Sequence, residues 1–428
     1  MKLMKIYVDS IGCRLNQSEI EKFAAQFRAA GHIVVESAAE ADIVLVNTCT
    51  VTVEAASDSR QKIRQASRAG KAQIAVTGCW STLEPEQAAA LPGVKWVIPN
   101  IDKKSLVPEV LHQPLDEMDL EPIARQPLPG IHRRTRAFIK TQDGCDNHCT
   151  FCITRIARGA GRSQSEEEVL EDVRSALAGG AREVVLTGVH LGSWGQDMEP
   201  RRHLKNLVQS VLDKTEPQRL RLSSLEPWDL NEDFFALWQD GRMCRHLHLP
   251  LQSGCAATLR RMARKVTPES FSTLVDQARG ASTSMAITTD VIVGFPGETE
   301  AEFSESLEFV RRMEFAGGHV FSYSPRPGTP AAYHPNPVPA KVAKERSVSM
   351  RGVLAETARA FRQRFIGQRM DVLWEGASSF NAQGWLVEGL TDNYLRVTAW
   401  SKENCWNEFS KVELQTEQAD GMFGEILF

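Results

Sequence analysis

Three cysteines lie close together in the segment GCDNHCTFC, at Cys145, Cys149 and Cys152. Their C-x3-C-x2-C spacing places three thiolates on one short loop, and thiolates are the ligands that iron–sulfur clusters use. Three ligands occupy three irons of a [4Fe–4S] cube and leave the fourth iron open to a small molecule. A structural zinc site normally has four ligands, and His148 would be an awkward fourth between two of the cysteines. The spacing therefore favours a cluster over the alternatives, which are a zinc knuckle and unrelated core thiols.

A second set of cysteines is dispersed through the first eighty residues. Cys13 lies in IGCRLNQSE, Cys49 in NTCTV and Cys79 in TGCWS, and each follows a short apolar segment typical of a buried strand. The carboxyl ends of parallel strands meet at one edge of a sheet, where ligands bind. The three thiols are therefore a candidate second metal site. Separate burial of each cysteine is the alternative, because cysteine is often simply buried.

The elements that would position these cysteines form two alternations of strand and helix. Residues 1–110 predict a small α/β sandwich, with strands at 5–8, 43–46 and 73–77 and helices at 18–30 and 54–69. Residues 111–130 are rich in proline and predict a linker. Residues 131–365 repeat strand and helix six times, which predicts a central partial (β/α) barrel. Its predicted strands are 137–141, 183–187, 219–223, 246–249, 286–293 and 318–323.

The loops after the barrel strands carry four further candidates. In such barrels the functional residues follow the carboxyl ends of the strands. Gly188, Ser223, Glu226 and Gln252 occupy such positions and are predicted to contact a cofactor or substrate. Ordinary loop structure is the alternative for each of them. A long helix is predicted over 341–365, and residues 366–428 predict a small β barrel with strands at 370–374, 385–390 and 394–397.

Composition excludes several classes of protein. The 428 residues carry a formal net charge of -4, and no apolar run approaches the ~20 residues of a membrane span. Nine cysteines without a disulfide-dense segment indicate a reducing compartment, so a cytoplasmic location without membrane contact is expected.

Several segments together resemble the methylthiotransferase family of radical-SAM enzymes, over nearly the whole chain. The resemblance implies that Cys145, Cys149 and Cys152 hold a [4Fe–4S] cluster that binds S-adenosylmethionine. It also implies a second [4Fe–4S] cluster on Cys13, Cys49 and Cys79, together with a sulfur donor, a reducing electron donor and a tRNA substrate. The segments are GCRLNQSE, NTCTV, GCW, DGCDNHCTFC, ARG, LTGVHLGSWG, RLSSLEP, HLPLQSG, RMARK, TTDVIVGFPGET and FSYSPRPGTPA.

Two of these segments indicate the branch of the family. GCRLN and LTGVHLGSWG resemble the branch that acts on N6-threonylcarbamoyladenosine at position 37 of tRNA, beside the anticodon, and gives its 2-methylthio derivative. The rival branches act on isopentenyladenosine in tRNA or on an aspartate of a ribosomal protein. A metal-binding or RNA-binding protein without catalysis is the remaining alternative.

The distribution of charge favours RNA contact in one part of the chain and disfavours it in another. Two basic stretches, at 133–162 and 341–364, are expected to face phosphates, with a solvated helix face as the alternative for the second. The C-terminal unit resembles a TRAM domain, a small RNA-binding barrel. From residue 368 onward, however, four basic residues face ten acidic ones, which disfavours broad phosphate contact. The basic residues of the first stretch are Arg133, Arg134, Arg136, Lys140, Arg155, Arg158 and Arg162.

Overall fold

The computed structural model describes residues 3–113 and 135–427, which form two compact units. The first unit contains the described residues up to Asn147, together with Ile153–Ala181 and Thr187–Val189. The second contains His148–Cys152, Arg182–Leu186 and the residues from His190 onward. The predicted fold class is confirmed, including the closed barrel at the C-terminus. The predicted domain bounds stay a prediction, and residues 114–130 of the expected linker lie outside the described residues.

The first unit is built on a five-stranded sheet in the order β2-β1-β3-β4-β5, in which all neighbours are parallel. The central strand β3 is buried along its whole length, as a continuous apolar run predicts. The strands are β1 (Lys5–Ser10), β2 (Ile33–Val34), β3 (Ile43–Thr48), β4 (Gln73–Gly78) and β5 (Val94–Ile98).

Helices cover both faces of this sheet. One core packs Phe23 and Phe27 of the first helix against Ile6 and Leu45, and the other packs Ile63 of the second helix against the opposite face. Apolar residues at helical spacing produce these buried stripes. The helices are α1 (Arg14–Ala29), α2 (Val53–Ala69), α3 (Cys79–Leu83), α4 (Pro85–Ala89) and α5 (Leu106–Leu111).

The rest of the first unit flanks the 144–153 cysteine loop along the sequence. A capping box between Ser165 and Glu168 starts the longer of its two helices, because each side chain accepts from the other residue's backbone N–H. The elements are β6 (Arg136–Lys140), β7 (Gln142–Asp143), α6 (Thr154–Arg158), β8 (Arg162–Ser163) and α7 (Glu166–Ala178).

The second unit contains most of the barrel strands, in parallel pairs β9–β10, β11–β12 and β12–β13. An isolated parallel bridge between Ser224 and His248 continues the pattern from β10 to β11. All five predicted strands in this part are confirmed to within two residues. The elements are β9 (Glu183–Thr187), α8 (Leu204–Lys214), β10 (Arg219–Leu222), β11 (His246–His248), α9 (Ala256–Arg261), α10 (Pro268–Ala281), β12 (Ala286–Val293), α11 (Glu300–Arg312) and β13 (Gly317–Ser322).

The chain ends in a long helix and a closed five-stranded barrel in the order β14-β15-β16-β18-β17. Val372, Trp374, Val397 and Val412 fill the barrel core. The elements are α12 (Ala340–Gln363), β14 (Arg369–Asn381), β15 (Gly384–Thr391), β16 (Arg396–Ser401), β17 (Phe409–Gln418) and β18 (Gly421–Leu427). Throughout residues 3–113 and 135–427, every helix is too short or too polar to cross a bilayer.

Candidate metal centres

The three N-terminal cysteines lie at one edge of the five-stranded sheet. Cys49 and Cys79 directly follow β3 and β4, and Cys13 follows β1 after a two-residue loop. Because β1, β3 and β4 are adjacent and parallel, their carboxyl ends share that edge. The strand-end positions read from the sequence are therefore found in the structure.

The thiols of these cysteines are close enough to influence one another. Burial raises the pKa of the Cys49 thiol to about 11, and the charges on Cys13 and Cys79 add to the rise. Gly12 has a φ of +100°, and a Cβ there would lie 2.5 Å from Cys49 Sγ. Only glycine combines that backbone angle with so close an approach. The local backbone thus brings the Cys13 loop directly against the Cys49 thiol.

The positions of the strands place the three thiols at one edge of the sheet. Among the described residues, no group of three or more His, Cys, Asp or Glu side chains is arranged to hold a metal ion. A cluster on Cys13, Cys49 and Cys79 therefore stays a prediction.

Two buried asparagines fix the loops that carry these cysteines. Asn16 donates from Nδ2 to the carbonyl oxygens of Ile11 at 2.7 Å and Thr48 at 3.1 Å, which links the residues before Cys13 and Cys49. Asn100 donates to Cys79 Sγ at 3.7 Å and to the Ala157 carbonyl oxygen at 2.7 Å. Their role was missed from the sequence, although Asn16 lies inside the GCRLNQSE segment.

The other three cysteines lie on the loop between β7 and α6. Gly144 opens this loop with a φ of +68°, and a Cβ there would lie 1.9 Å from the Ala160 carbonyl oxygen. The backbone N–H of Cys145 donates to the Gly159 carbonyl oxygen at 3.1 Å. The Cys145 sulfur in turn accepts from the Asn147 N–H at 3.4 Å. All three cysteines are partly exposed, as a site open to a small molecule requires.

The part of this loop in the second unit is supported by the RMARK segment. Thr150 donates from its backbone to Met262 and from its hydroxyl to Arg261, at 3.1 and 2.9 Å. Arg264 Nη1 lies 3.8 Å from Cys149 Sγ. Burial raises the pKa of the Cys149 thiol to about 11, while Arg264 opposes the rise.

Glu226, one of the predicted contact residues, holds this arginine in place. Its carboxylate accepts from both terminal nitrogens of Arg264, at 3.1 and 2.7 Å. Arg264 also donates to the Pro250 carbonyl oxygen at 2.7 Å and lies over the Trp228 ring, 4.5 Å from its centre. A buried arginine needs such compensation. The visible role of Glu226 is therefore to position Arg264, and its contact with a cofactor stays a prediction.

The other three predicted contact residues follow strands as expected. Gly188 follows β9 directly, and Ser223 follows β10 directly. Gln252 lies beyond β11 with a φ of +71°, and its backbone bonds on both sides to β12, at Asp290 and Ile292. Their contacts with a cofactor stay predictions, because the structure shows only their positions.

Several buried polar atoms in the second unit have no partner in the described part of the chain. Three of them are Ser223 Oγ, Trp228 Nε1 and Asp290 Oδ1. An unsatisfied buried polar group costs about 1–3 kcal/mol, so such atoms occur mainly where a ligand or water completes them. Ser223 was a predicted contact residue, and its unpartnered hydroxyl fits a bound polar cofactor.

The second unit contains a histidine–aspartate pair that the sequence analysis did not predict. His190 Nε2 and Asp229 Oδ2 are 2.6 Å apart, and both side chains are buried. The His190 ring also meets the Trp228 ring edge-on, with 6.5 Å between centres. The only available signal was the position of His190 inside LTGVHLGSWG.

The prediction that the basic stretches face phosphates is wrong for two of their arginines. Arg158 is 3% exposed and pairs with Glu19 and Asp143, and Arg346 is 6% exposed and pairs with Glu298. These charges are satisfied inside the protein. Arg133 and Arg134 lie outside the described residues.

The C-terminal barrel holds Trp374 and Trp385 in different environments. Trp374 is completely buried and donates from Nε1 to Ser410 Oγ at 3.0 Å, so it is a core residue. Trp385 is 36% exposed and lies beside Phe380, with 4.7 Å between ring centres. Arg396 is exposed as well.

Comparisons with known proteins match two parts of the chain to families and find relatives over nearly its whole length. Residues 5–98 match the uncharacterized protein family UPF0004, and residues 139–310 match the radical SAM superfamily. A threonylcarbamoyladenosine tRNA methylthiotransferase, MtaB of Bacillus subtilis, is 34% identical over 95% of this chain and 92% of that protein. A tRNA-2-methylthio-N(6)-dimethylallyladenosine synthase of Caldicellulosiruptor saccharolyticus is 31% identical over 98% of this chain and 92% of that protein.

Solved structures share the fold at low identity. The radical S-adenosylmethionine methyltransferase TsrM of Kitasatospora setae superposes with a TM-score of 0.58 at 16% identity, over 77% of each chain. At that identity the likeness concerns the fold alone.

Proposed function

The chain belongs to the methylthiotransferase family of radical-SAM enzymes, and we propose that its substrate is N6-threonylcarbamoyladenosine at position 37 of tRNA. The product would be the 2-methylthio derivative of that nucleoside. The observation that carries this choice is the resemblance of the segments GCRLN and LTGVHLGSWG to the branch that acts on that nucleoside. The 34% identity over 95% of the chain to a protein named for that substrate supports the same branch.

The second candidate is the branch that acts on isopentenyladenosine, also in tRNA. A dimethylallyladenosine synthase that is 31% identical over 98% of the chain favours it. The two identities differ by too little to separate the branches on their own. The sequence segments decide our choice between them.

We propose that the two cysteine sets hold the two [4Fe–4S] clusters of this reaction. Cys13, Cys49 and Cys79 would bind one, and Cys145, Cys149 and Cys152 would bind the other. When bound, the clusters and S-adenosylmethionine supply the radical that activates the adenine carbon and the sulfur and methyl group that are inserted. A sulfur donor and a reducing electron donor complete the requirements.

The chain's own residues bind, orient and shield these groups. Each trio leaves one iron without a protein ligand, so a small molecule can bind there. Arg264, held by Glu226, places a positive charge beside Cys149 and so favours its thiolate form. The unpartnered Ser223 hydroxyl and Trp228 N–H are available to hydrogen-bond a polar cofactor. Gly188 and Gln252 are proposed to contact the same cofactor.

Analysis of tRNA nucleosides by mass spectrometry tests the substrate. In a strain lacking this gene, we expect 2-methylthio-N6-threonylcarbamoyladenosine to disappear and its unmodified precursor to accumulate. The full chain should restore the product, and the Cys149→Ala variant should not. Unchanged methylthio-threonylcarbamoyladenosine would reject the proposal, and loss of the methylthio-isopentenyl nucleoside instead would support the second candidate.

A further inference from the structure

A network of buried charges lies within the first unit, and the proposed chemistry does not account for it. Arg158 Nη1 donates to Asp143 at 3.0 Å and to Glu19 at 3.3 Å. Lys140 reaches the same two carboxylates at 2.7 and 2.8 Å, and Lys103 reaches Glu19 at 2.5 Å. We call these five residues the Arg158 network.

The network is joined directly to the loops that carry the N-terminal cysteines. Arg158 Nη2 donates to Asn16 Oδ1 at 2.8 Å, and Cys13 Sγ lies 3.8 Å from that same oxygen. The residue before Arg158, Ala157, accepts from Asn100, whose amide also lies 3.7 Å from Cys79 Sγ. One end of α6 is therefore tied to the positions of two of the three thiols.

The charges within the network do not balance. Its three cations, Lys103, Lys140 and Arg158, face two carboxylates, and the more exposed Arg162 also lies 3.9 Å from Asp143, so positive charge is in surplus. Arg158, Lys103 and both carboxylates are at most 8% exposed at their side chains, and Lys140 is 20% exposed. A buried surplus of charge is costly unless an opposite charge lies nearby.

The partners of three members favour their charged forms. Asp143 accepts from two cations, Arg158 Nη1 at 3.0 Å and Lys140 Nζ at 2.7 Å, which favours its carboxylate form. Burial lowers the pKa of Lys103, and its contact with Glu19 counters this and favours the ammonium form. Burial also acts against Arg158, but the carboxylates and the thiols of Cys79 and Cys13 together raise its pKa well above the usual value.

The N-terminal cysteines supply the missing negative charge once they hold a cluster. Three thiolates outweigh the charge of an oxidised [4Fe–4S] core and leave the whole group negative, and reduction adds one more negative charge. We propose that Arg158 is a positioning residue whose positive charge compensates the cluster held by Cys13, Cys49 and Cys79 and raises its reduction potential. This inference rests on the proposed function, because it presupposes that cluster.

The test is a redox titration followed by electron paramagnetic resonance under anaerobic conditions. It is made on the holoenzyme and repeated on the full chain with Cys145, Cys149 and Cys152 replaced by alanine, which assigns the signal to the N-terminal cluster. At a fixed potential, Arg158→Gln should raise the oxidised-to-reduced ratio of that cluster at least tenfold, which is about 59 mV for one electron.

Two further variants separate charge from structure. Asp143→Asn removes a negative charge while its side-chain oxygen can still accept from the Gly144 N–H, so the potential should rise. The double variant Arg158→Gln/Asp143→Asn restores the original surplus and should return the potential towards that of the unmodified chain. Arg155→Gln removes an exposed arginine from the same helix and is the matched control, with no shift expected.

The outcomes distinguish this inference from the proposed function. If the chain holds about eight irons but Arg158→Gln and Asp143→Asn leave the potential unchanged, the inference is wrong and the proposed function stands. If Asp143→Asn and Arg158→Gln shift the potential in the same direction, a structural effect explains the data and the inference is again wrong. If the unmodified chain holds only about four irons, both fail together. If the Arg158→Gln variant loses the N-terminal cluster, two other variants still test the inference. Asp143→Asn should raise the reduction potential of that cluster, and Arg158→Lys should leave the potential unchanged.

Discussion

The polar side chains buried around the two cysteine loops differ in whether they have partners. Asn16 and Arg158 are each engaged by several atoms and help to hold the Cys13 loop in place. Ser223 Oγ has no partner within the described residues. A satisfied group contributes to the fold, whereas an unsatisfied one weakens it. The unsatisfied hydroxyl is therefore the better candidate for a contact made only with a ligand.

Replacement of Ser223 by alanine should separate stability from cofactor affinity. Because the hydroxyl is buried without a partner, Ser223→Ala should stabilise the cofactor-free protein, by up to about 1 kcal/mol. Loss of its contact should weaken S-adenosylmethionine binding by roughly tenfold, which corresponds to about 1.4 kcal/mol. Thermal unfolding and equilibrium binding to the cluster-loaded protein measure the two effects.

The neighbouring serine provides the control. Ser224 is exposed and takes part in the sheet through its backbone, so Ser224→Ala should change neither quantity. A Ser223→Ala variant that is more stable and binds the cofactor unchanged would show that the hydroxyl is a packing defect and not a ligand contact.

The strands and helices explain why some features could be predicted from sequence and others could not. Continuous apolar runs such as 43–46 predict buried parallel strands, and the cysteines that follow them could be assigned to one sheet edge. In the C-terminal barrel, β17 and β18 were missed, because charged residues interrupt the apolar alternation of Phe409–Gln418. A pattern read over a few residues cannot recover strands whose burial depends on the closed barrel.

Long-range pairing accounts for the error at Arg158. Local sequence shows a basic stretch, which is typical of a surface that binds phosphate. The actual partners are Asn16, 142 residues earlier, and Glu19, 139 residues earlier. Only the packing of α1 and α6 within the first unit brings them together, so no local pattern could reveal the pairing.

The stability of the C-terminal barrel should depend far more on the buried Trp374 than on the partly exposed Trp385. Trp374 is completely buried and hydrogen-bonded, so Trp374→Ala should cost about 3–5 kcal/mol. Hydrogen exchange of peptides from β14 and β17 in the intact protein should then accelerate by roughly two to three orders of magnitude. Trp385→Ala removes a half-exposed ring and should cost about 1 kcal/mol. Equal acceleration in both variants would contradict the assignment of Trp374 to the core.

At the scale of the whole molecule, the nine cysteines fall into the two proposed ligand trios and three others. Cys244 is fully buried, and burial strongly raises the pKa of its thiol, so it is a poor metal ligand. Cys255 is also buried, and Cys405 lies in the C-terminal barrel beside Ser401. Each proposed trio would leave one iron open, so its three thiolates would be the protein's whole set of ligands to that cluster.

Substitutions in one trio should therefore lower the iron content without affecting the iron held by the other trio. A cube held by only two thiolates is expected to be lost, so Cys49→Ala and Cys152→Ala should each lower the iron of anaerobically reconstituted protein from about eight to about four per chain. The double variant should hold almost none, because neither trio contributes a ligand to the other. Cys255→Ala is the matched control and should retain about eight, since it removes a buried thiol outside both trios. Bound zinc in place of iron and sulfide would contradict the cluster assignment, and a loss of all iron from either single variant would contradict the independence of the two trios.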